Sequence, residues 1–324
     1  MIDAEPVSVV VPVRNGAQTL PLCLSALLAQ NYPVDRFEIL CVDNGSADES
    51  VAVMQRFAPR VQVLHAERRG ASAARNEGIR RARHRWLAFT DCDCVPDPGW
   101  LAALVQFARS PRRADLMGGP IVAYRPTTHI ERFSERLFDQ QRAMCEFKPP
   151  YAVSANMMVS RDTLTAFGAF DESFLRGQDV ELSYRAFFAN RATFGYVETA
   201  VVAHVNPKTL TALWRKALQH GEAAANVVAK YGDHLGDSAW RRCSDWRRYR
   251  SIAGLAVEAI TAASASKRGE SPERDKERLY EFIVAAGKQA GFVRETLARP
   301  RRIGRIGKGE AIGESSMPRA RGDT

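Results

Sequence analysis

The feature that most constrains this chain is a short apolar run that ends in two aspartates one residue apart. Trp86 to Thr90 are of the types that favour a buried strand, and Asp91-Cys92-Asp93 follow directly. In open α/β sheets, ligands bind outside the carboxyl ends of the strands, so the acidic pair is predicted to face a cleft. Two carboxylates in that position can hold a divalent cation such as Mg2+ or Mn2+. A strand end followed by an acidic turn without function is the alternative.

The length of the chain and its cysteines limit the classes of protein to which it can belong. With 324 residues, the chain is long enough to bury a large core. The first apolar run, Val7 to Val13, is too short for a signal sequence or a membrane span and contains Pro12. The six cysteines show no zinc-binding spacing, so free thiols are expected. These observations predict a cytoplasmic protein.

The positive charge is concentrated at the C-terminal end. The chain has a net charge of +9, and the segment from Arg241 onward contains 19 Lys and Arg residues but only 11 Asp and Glu residues. A basic region of this kind favours an anionic surface. We expect peripheral contact with the inner face of a membrane, and no nucleic acid.

The first third of the chain alternates between strand-like and helix-like segments. Strands are predicted at residues 7–13, 37–42, 61–64 and 86–90, and amphipathic helices lie between them. This order predicts an α/β fold with a mainly parallel sheet flanked by helices, its polar strand ends along one edge. No dinucleotide-binding glycine motif and no P-loop is present in the sequence.

Several motifs together resemble the family 2 glycosyltransferases, which have the nucleotide-sugar-binding fold called GT-A. The resemblance covers residues 7 to 232, and singly each motif is weak. It rests on Val9 to Asn15, Val42 to Asp48, Gly70 to Gly78, the acidic pair, Gly168 to Glu172 and Gly177 to Leu182.

The resemblance implies roles for residues on the donor side. Asp43 would accept the base N–H of a uracil-type nucleotide, and Arg75 would lie near the donor phosphates. Asp93 would be the main metal ligand, with Asp91 nearer the ribose and metal, and His204 would join the metal site. From the residues alone, Asp43 is equally a turn residue, and Arg75 a surface charge. The implied donor site comprises Pro12, Arg14, Asn15, Asp43, Asn44, Arg75, Asp91, Cys92 and Asp93.

The resemblance also implies a catalytic base. Asp179 would take the proton of the acceptor hydroxyl, with Gln178 and Asn156 on the acceptor side. From the residues alone, Asp179 is a good helix-capping aspartate and Asn156 a structural amide. The family commonly has Glu-Asp where this chain has Gln178-Asp179. Loss of the neighbouring charge should ease ionisation of Asp179.

The predicted function is inverting transfer of a single sugar from a nucleoside diphosphate, with a UDP-sugar favoured, to a hydroxyl acceptor. The acceptor is expected to be a sugar or lipid-linked, in cell-envelope, glycolipid or polysaccharide synthesis. The Gln-x-x-Arg-Trp signature of processive synthases is absent. The alternatives are a sugar nucleotidyltransferase and a degenerate transferase fold acting as a binding module.

Three regions are predicted along the chain. Residues 1–235 form the catalytic domain, with a nucleotide-binding part at about 7–105 and an acceptor part at about 106–235. Residues 236–298 form a helical extension, and residues 299–324 a basic disordered tail. The extension is expected to dock on the catalytic body. Pairing of two chains as a homodimer and contact with an anionic membrane are the alternatives.

Overall fold

The computed structural model describes residues 4–190, 192–266 and 272–306. Within these residues the larger sheet has seven strands in the order β3-β2-β1-β4-β8-β6-β9, and a smaller sheet has the order β5-β10-β7. Helices cover both faces of the larger sheet. The predicted fold class, an α/β fold with a mainly parallel sheet and a helical C-terminal part, is confirmed.

The element bounds follow the sequence pattern closely in the first third of the chain. The strands are β1 (Val7–Val13), β2 (Phe37–Asp43), β3 (Val61–His65), β4 (Trp86–Phe89), β5 (Cys94–Pro96), β6 (Leu116–Gly118), β7 (Ile121–Ala123), β8 (Met157–Ser160), β9 (Phe194–Tyr196) and β10 (Val202–His204). The helices are α1 (Leu20–Leu28), α2 (Ser50–Gln55), α3 (Ala71–Arg81), α4 (Trp100–Ala108), α5 (His129–Ser134), α6 (Gln140–Cys145), α7 (Arg161–Phe167), α8 (Gln178–Asn190), α9 (Leu210–Tyr231), α10 (Ala239–Ser244), α11 (Trp246–Ser266) and α12 (Pro272–Ile306).

Strands β1 to β4 are parallel and are buried at the centre of the sheet. Every residue of β1 is buried, because helices pack on both faces of this strand. Helix α3 lies directly against β1, since a Cβ added to Gly78 would come within 2.3 Å of a methyl group of Val10. This close packing brings the start of α3 beside the carboxyl ends of β1, β2 and β4.

The middle of the chain departs from the expected pattern. Residues 116–124 do not form one continuous strand but contain two short strands, β6 and β7, which belong to different sheets. Gly118, Gly119 and Pro120 separate them, and a Cβ on Gly119 would meet backbone carbonyl oxygens of Val197 and Ala200 at 2.4 and 2.2 Å. The chain turns there because only glycine allows this approach. The β8 strand runs antiparallel between β4 and β6.

The C-terminal helices dock on the preceding part of the chain, as expected from their helical spacing. Helix α12 packs along α9 through small residues: Cβ atoms added to Gly221 and Gly291 would each meet a backbone oxygen of the other helix at 2.0 Å. The helix continues to Ile306, past the predicted start of the tail, and residues 307–324 lie outside the described residues. In the described part of the chain, no helix has the length and apolar character needed to cross a bilayer.

Candidate active site

Asp91 forms a partly buried ion pair at the carboxyl end of β4. The Arg75 guanidinium, only 5% exposed, donates from Nη2 to Asp91 Oδ1 at 2.7 Å. Arg75 Nε is buried, and among the described residues it has no hydrogen-bond partner. A buried N–H without an acceptor is costly, so this atom is a candidate contact for an anionic ligand.

Asp93 faces His204 across the smaller sheet. Antiparallel pairing of β5 with β10 sets His204 opposite Cys94, and the backbone N–H of Val205 donates to the Asp93 carbonyl at 2.8 Å. His204 Nε2 lies 3.4 Å from Asp93 Oδ2. Two residues far apart in sequence, 93 and 204, are therefore brought together by strand register.

Asn206 fixes the tautomer of His204. Its amide Nδ2 donates to the Glu131 carbonyl, so its Oδ1 is turned toward His204 Nδ1, 2.9 Å away. Nδ1 must then carry the hydrogen, which leaves the lone pair of Nε2 directed at the Asp93 carboxylate. Burial lowers the pKa of His204, against the opposing charge of Asp93, and favours the neutral imidazole. A lone pair and a carboxylate that face each other are well matched by a cation between them.

The donor set fits a divalent cation with open coordination positions. Asp93, His204 and Cys94 offer ligand atoms that all lie within 4.8 Å of one another. Cys94 is a poor ligand, because burial raises the pKa of its thiol well above the ordinary value. The carboxylate and imidazole remain, and the Asp93 side chain is 37% exposed toward the cavity. The implied Mn2+ or Mg2+ fits Asp93 and His204, whereas Asp91 is engaged by Arg75.

A cavity of about 770 Å3 opens at these acids. It contains most of the predicted donor-site residues together with residues from later elements. The lining residues are Pro12, Val13, Arg14, Asn44, Arg69, Gly70, Ala71, Arg75, Asp91, Cys92, Asp93, Leu175, Arg176, Glu222, Asn226 and Glu295.

Two predicted donor residues, Asn15 and Asp43, are not among the lining residues and instead hold neighbouring turns. Asp43 accepts the backbone N–H groups of Gly45 and Ser46 at 3.1 and 3.2 Å, which closes the turn after β2. Asn15, in a left-handed conformation with φ of 52°, accepts the N–H of Ala47 at 2.8 Å. Asn44 does line the cavity, and its amide bonds both ways with Gly70 at the start of α3.

Asp179 lies in the first turn of α8, after Gly177, whose φ of 76° suits a glycine. Its two carboxylate oxygens accept the backbone N–H groups of Val180 at 2.9 Å and Ser154 at 3.3 Å. Burial raises the pKa of Asp179, the Arg75 charge opposes the rise and the Asp91 charge adds to it. The base candidate is thus electrostatically coupled to the acidic loop, although it is not among the residues that line the cavity.

Two acceptor-side predictions have different outcomes. Asn156 is fully buried and holds the fold together: Trp100 donates to its Oδ1 at 2.8 Å, and its Nδ2 donates to the carbonyls of Pro120 and Ala200. The structure therefore does not bring Asn156 to the cavity, because its amide is buried and bonded within the core. Gln178 begins α8, and its side chain donates to the Leu175 carbonyl at 3.3 Å.

Sequence reasoning missed five lining residues with polar side chains. Arg69 directly precedes Gly70, and this was the only sequence feature that could have indicated it. Arg176 directly precedes the Gly177 motif, but the motif implied no role for it. Helical spacing identified α9 and α12 but did not indicate which face meets the cavity. The missed residues are Arg69, Arg176, Glu222, Asn226 and Glu295.

Solved structures with the same architecture are glycosyltransferases. The mannosyltransferase PcManGT from Pyrobaculum calidifontis, in complex with GDP-Man and Mn2+, matches with a TM-score of 0.60 at 20% identity over 89% of this chain and 88% of that one. S. aureus TarS 1-349 in complex with UDP-GlcNAc matches with a TM-score of 0.53 at 14% identity over 92% of each chain. The fold is that of the GT-A glycosyltransferases.

Sequence comparison narrows the class to one family. Residues 8–167 match the model of glycosyl transferase family 2, and this part of the chain belongs to that family. Glycosyltransferase AglE of Haloferax volcanii is 33% identical over 186 residues, 56% of this chain and 60% of the relative. Pre-mycofactocin glycosyltransferase of Mycobacterium tuberculosis is 31% identical over 233 residues, 68% of this chain and 47% of the relative. The chain thus spans 60% or less of these relatives.

Proposed function

We propose that the protein is a metal-dependent, inverting glycosyltransferase that moves one sugar from a nucleoside-diphosphate sugar to a hydroxyl acceptor. The observation that carries the proposal is the joint opening of Asp91, Asp93 and the buried Arg75 onto one cavity. A diphosphate needs both a cation and hydrogen-bond donors, and Arg75 Nε supplies a donor that the described protein leaves unsatisfied.

Asp93 and His204 would hold a divalent ion. Such an ion, when bound, supplies positive charge to the leaving diphosphate. Asn206 keeps the His204 lone pair directed at that position, and Arg75 holds the Asp91 side chain in place at the rim. Mn2+ is favoured because the set combines an imidazole with a carboxylate.

The donor is proposed to be a UDP-sugar. Asn44 and the turn closed by Asp43 form the part of the wall that follows β2. PcManGT holds GDP-Man and TarS holds UDP-GlcNAc, so both nucleotides belong in the test. Asp43 can still accept a base N–H, because each carboxylate oxygen has two lone pairs and one backbone N–H is bonded to each.

Asp179 is proposed as the general base. It would accept the proton of the acceptor hydroxyl while the hydroxyl oxygen forms a bond to the anomeric carbon. The bond between that carbon and the diphosphate oxygen breaks at the same time, and its electron pair leaves with the diphosphate. Attack opposite the leaving group inverts the anomeric configuration, and no covalent sugar intermediate on the protein is required.

Donor hydrolysis and transfer by the purified full chain test the proposal. UDP-glucose, UDP-GlcNAc and GDP-mannose are incubated with Mn2+, with Mg2+ or with EDTA, and released nucleoside diphosphate is measured. We expect metal-dependent release of diphosphate from one donor. When pyrophosphate is added, formation of a nucleoside triphosphate and a sugar 1-phosphate would instead support a nucleotidyltransferase. Absence of both donor binding and turnover would support a degenerate transferase fold that acts as a binding module.

A contact with the inner face of an anionic membrane is proposed for helix α11. Trp246 and Val257 are each 61% exposed and lie about 20° apart around the helix, with Arg247 and Arg250 exposed beside them. Aromatic, aliphatic and basic groups on one face suit a lipid surface.

Vesicle co-sedimentation separates a membrane surface from other partners of α11. We expect stronger binding to phosphatidylglycerol than to phosphatidylcholine vesicles, and weaker binding for Trp246→Ala. The control is Val34→Ala, which removes an equally exposed apolar side chain between α1 and β2. Equal sedimentation with both lipids would exclude the membrane contact.

A further inference from the structure

One side of the cavity is formed entirely by residues beyond the part that matches the family. We define the C-terminal wall as Arg176, Glu222, Asn226 and Glu295. Glu222 and Asn226 are one turn apart on α9, and Glu295 comes from α12, so three segments of the chain meet there. The opposite side carries the acids at 91 and 93 and the predicted donor residues.

Glu222 is the centre of this wall. Its side chain is only 12% exposed, and its two carboxylate oxygens are bound by different guanidinium groups. Arg176 Nε donates to Oε2 at 2.7 Å, and Arg294 Nη2 on α12 pairs with Oε1. An arginine on each side of a largely buried carboxylate fixes its orientation, because each carboxylate oxygen accepts a charge-assisted hydrogen bond from a different guanidinium.

The wall is also connected to the proposed base. Arg176 is followed by Gly177, and a Cβ on Gly177 would lie 3.2 Å from the Cβ of Ala223, the residue after Glu222. Helix α9 therefore packs against the loop that leads into the first turn of α8, where Asp179 lies. Close contact between Gly221 and the backbone of Lys288 holds α12 in place behind this loop.

The chemistry of the wall suits a molecule with many hydroxyl groups. Two carboxylates, an amide and a guanidinium offer both acceptors and donors, and Leu175 is the apolar lining residue beside them. An alkyl acceptor would displace water from these polar groups and would offer no hydrogen bonds in place of those that the water made. This loss costs free energy. Vicinal sugar hydroxyls can both donate to Glu222 and accept from Arg176.

We propose that the C-terminal wall is an acceptor subsite for a carbohydrate, and that Arg294 positions it by holding Glu222 against Arg176. The proposal rests on the proposed transferase function and specifies its acceptor. Glu222 and Arg176 bind the sugar next to the one whose hydroxyl reacts, or the reacting sugar itself. Arg294 is a positioning residue, since it acts through Glu222.

The test combines donor binding with acceptor kinetics. Binding of UDP-glucose, UDP-GlcNAc and GDP-mannose with Mn2+ is measured by calorimetry without an acceptor. Transfer from the bound donor is then measured to p-nitrophenyl glucoside, mannoside and N-acetylglucosaminide, and to decanol as a hydroxyl without a sugar. We expect transfer to at least one glycoside in preference to decanol.

The variants Glu222→Gln and Arg294→Ala distinguish an effect on the C-terminal wall from an effect on donor binding. For Glu222→Gln we expect the glycoside KM to rise about tenfold, the value of one charged hydrogen bond, with the donor Kd within about twofold of wild type. Arg294→Ala should raise KM by a smaller factor, and Arg294→Lys should restore part of the loss. The control is Arg136→Ala, which removes the ion pair of Arg136 with Glu277 on the same helix α12, 3.1 Å apart. It should leave both constants unchanged.

The outcomes distinguish the two proposals. If no donor binds to the wild-type chain, the transferase function fails. If the wild-type chain binds and hydrolyses the donor but transfers sugar to none of the glycosides, the proposal of a carbohydrate subsite is wrong, whether or not decanol accepts sugar. Two results would assign the wall a purely structural role. The first is that Glu222→Gln weakens donor binding by the same factor by which it raises the glycoside KM. The second is an effect of Arg136→Ala as large as that of Arg294→Ala.

Discussion

The two sides of the cavity are built in different ways. The donor side consists of loops that follow successive parallel strands, and its residues come from one stretch between Pro12 and Asp93. The C-terminal wall consists of side chains from a loop and two long helices, between residues 176 and 295. A parallel sheet places strand ends together by topology, whereas the wall depends on how α12 packs against α9. The first arrangement joins residues that are close in sequence, whereas the second joins residues that only the tertiary packing brings together.

The largest expected effect comes from the proposed general base, which is electrostatically coupled to the acidic loop. Asp179→Asn should lower the transfer rate at least about 100-fold, because general base catalysis typically contributes that much, while donor Kd stays within a few-fold. Single-turnover transfer and donor calorimetry measure the two effects. The control is Asp162→Asn, which makes the same change at an exposed aspartate in the first turn of α7 and should retain wild-type activity. Wild-type turnover by Asp179→Asn would rule out this base.

The donor side is tested through an outer residue of the cation site. Asn206→Ala should weaken Mn2+ affinity by about tenfold or more, because the His204 tautomer is no longer fixed. Mn2+ titration followed by electron paramagnetic resonance measures the affinity directly and needs no substrate. Cys94→Ala is the matched control, since a buried, protonated thiol is not expected to bind the ion. A weaker Mn2+ affinity in Cys94→Ala alone would reverse the assignment of ligands.

The pH dependence links the two sides. Burial raises the pKa of Asp179, so the base becomes protonated at a higher pH than an ordinary aspartate does. The rate kcat/KM should therefore fall about tenfold per pH unit below that raised value and be constant above it. The His204 pKa is lowered, so cation binding should persist to lower pH than it would with an ordinary imidazole. A parallel loss of Mn2+ affinity and kcat/KM on acidification would assign the acid limb to the cation site instead.

The smallest effects concern stability, and they compare the same substitution in two helices. Gly221→Ala should destabilise the fold by about 1–3 kcal/mol, because its Cβ would overlap the backbone of α12. Gly254→Ala on α11 meets no atom within 4 Å, and it should stabilise the fold by up to about 1 kcal/mol through helix propensity. Thermal unfolding measures both changes. Equal melting temperatures for the two variants would mean that α9 and α12 do not pack as closely as described.

Sequence reasoning succeeded where a local pattern encodes a position. β1 and the acidic loop after β4 were found because apolar runs followed by polar residues mark strand ends. Sequence reasoning did not find the buried position of Asn156, because a motif shows that an amide is present but not which way it points. Its partners Trp100, Pro120 and Ala200 lie on three other segments. The predicted roles of Asp43 and Asp179 in binding and catalysis stay predictions.

The sequence by itself determined the parallel α/β sheet, the helical C-terminal part and the acidic edge, because apolar periodicity and turn residues act over a few neighbouring positions. Only the tertiary structure decided that His204 faces Asp93, that Arg75 pairs with Asp91, and that Glu222 joins Arg176 to Arg294. Strand register and helix packing set these contacts. Both depend on the fit of surfaces distant in sequence, which no local pattern records.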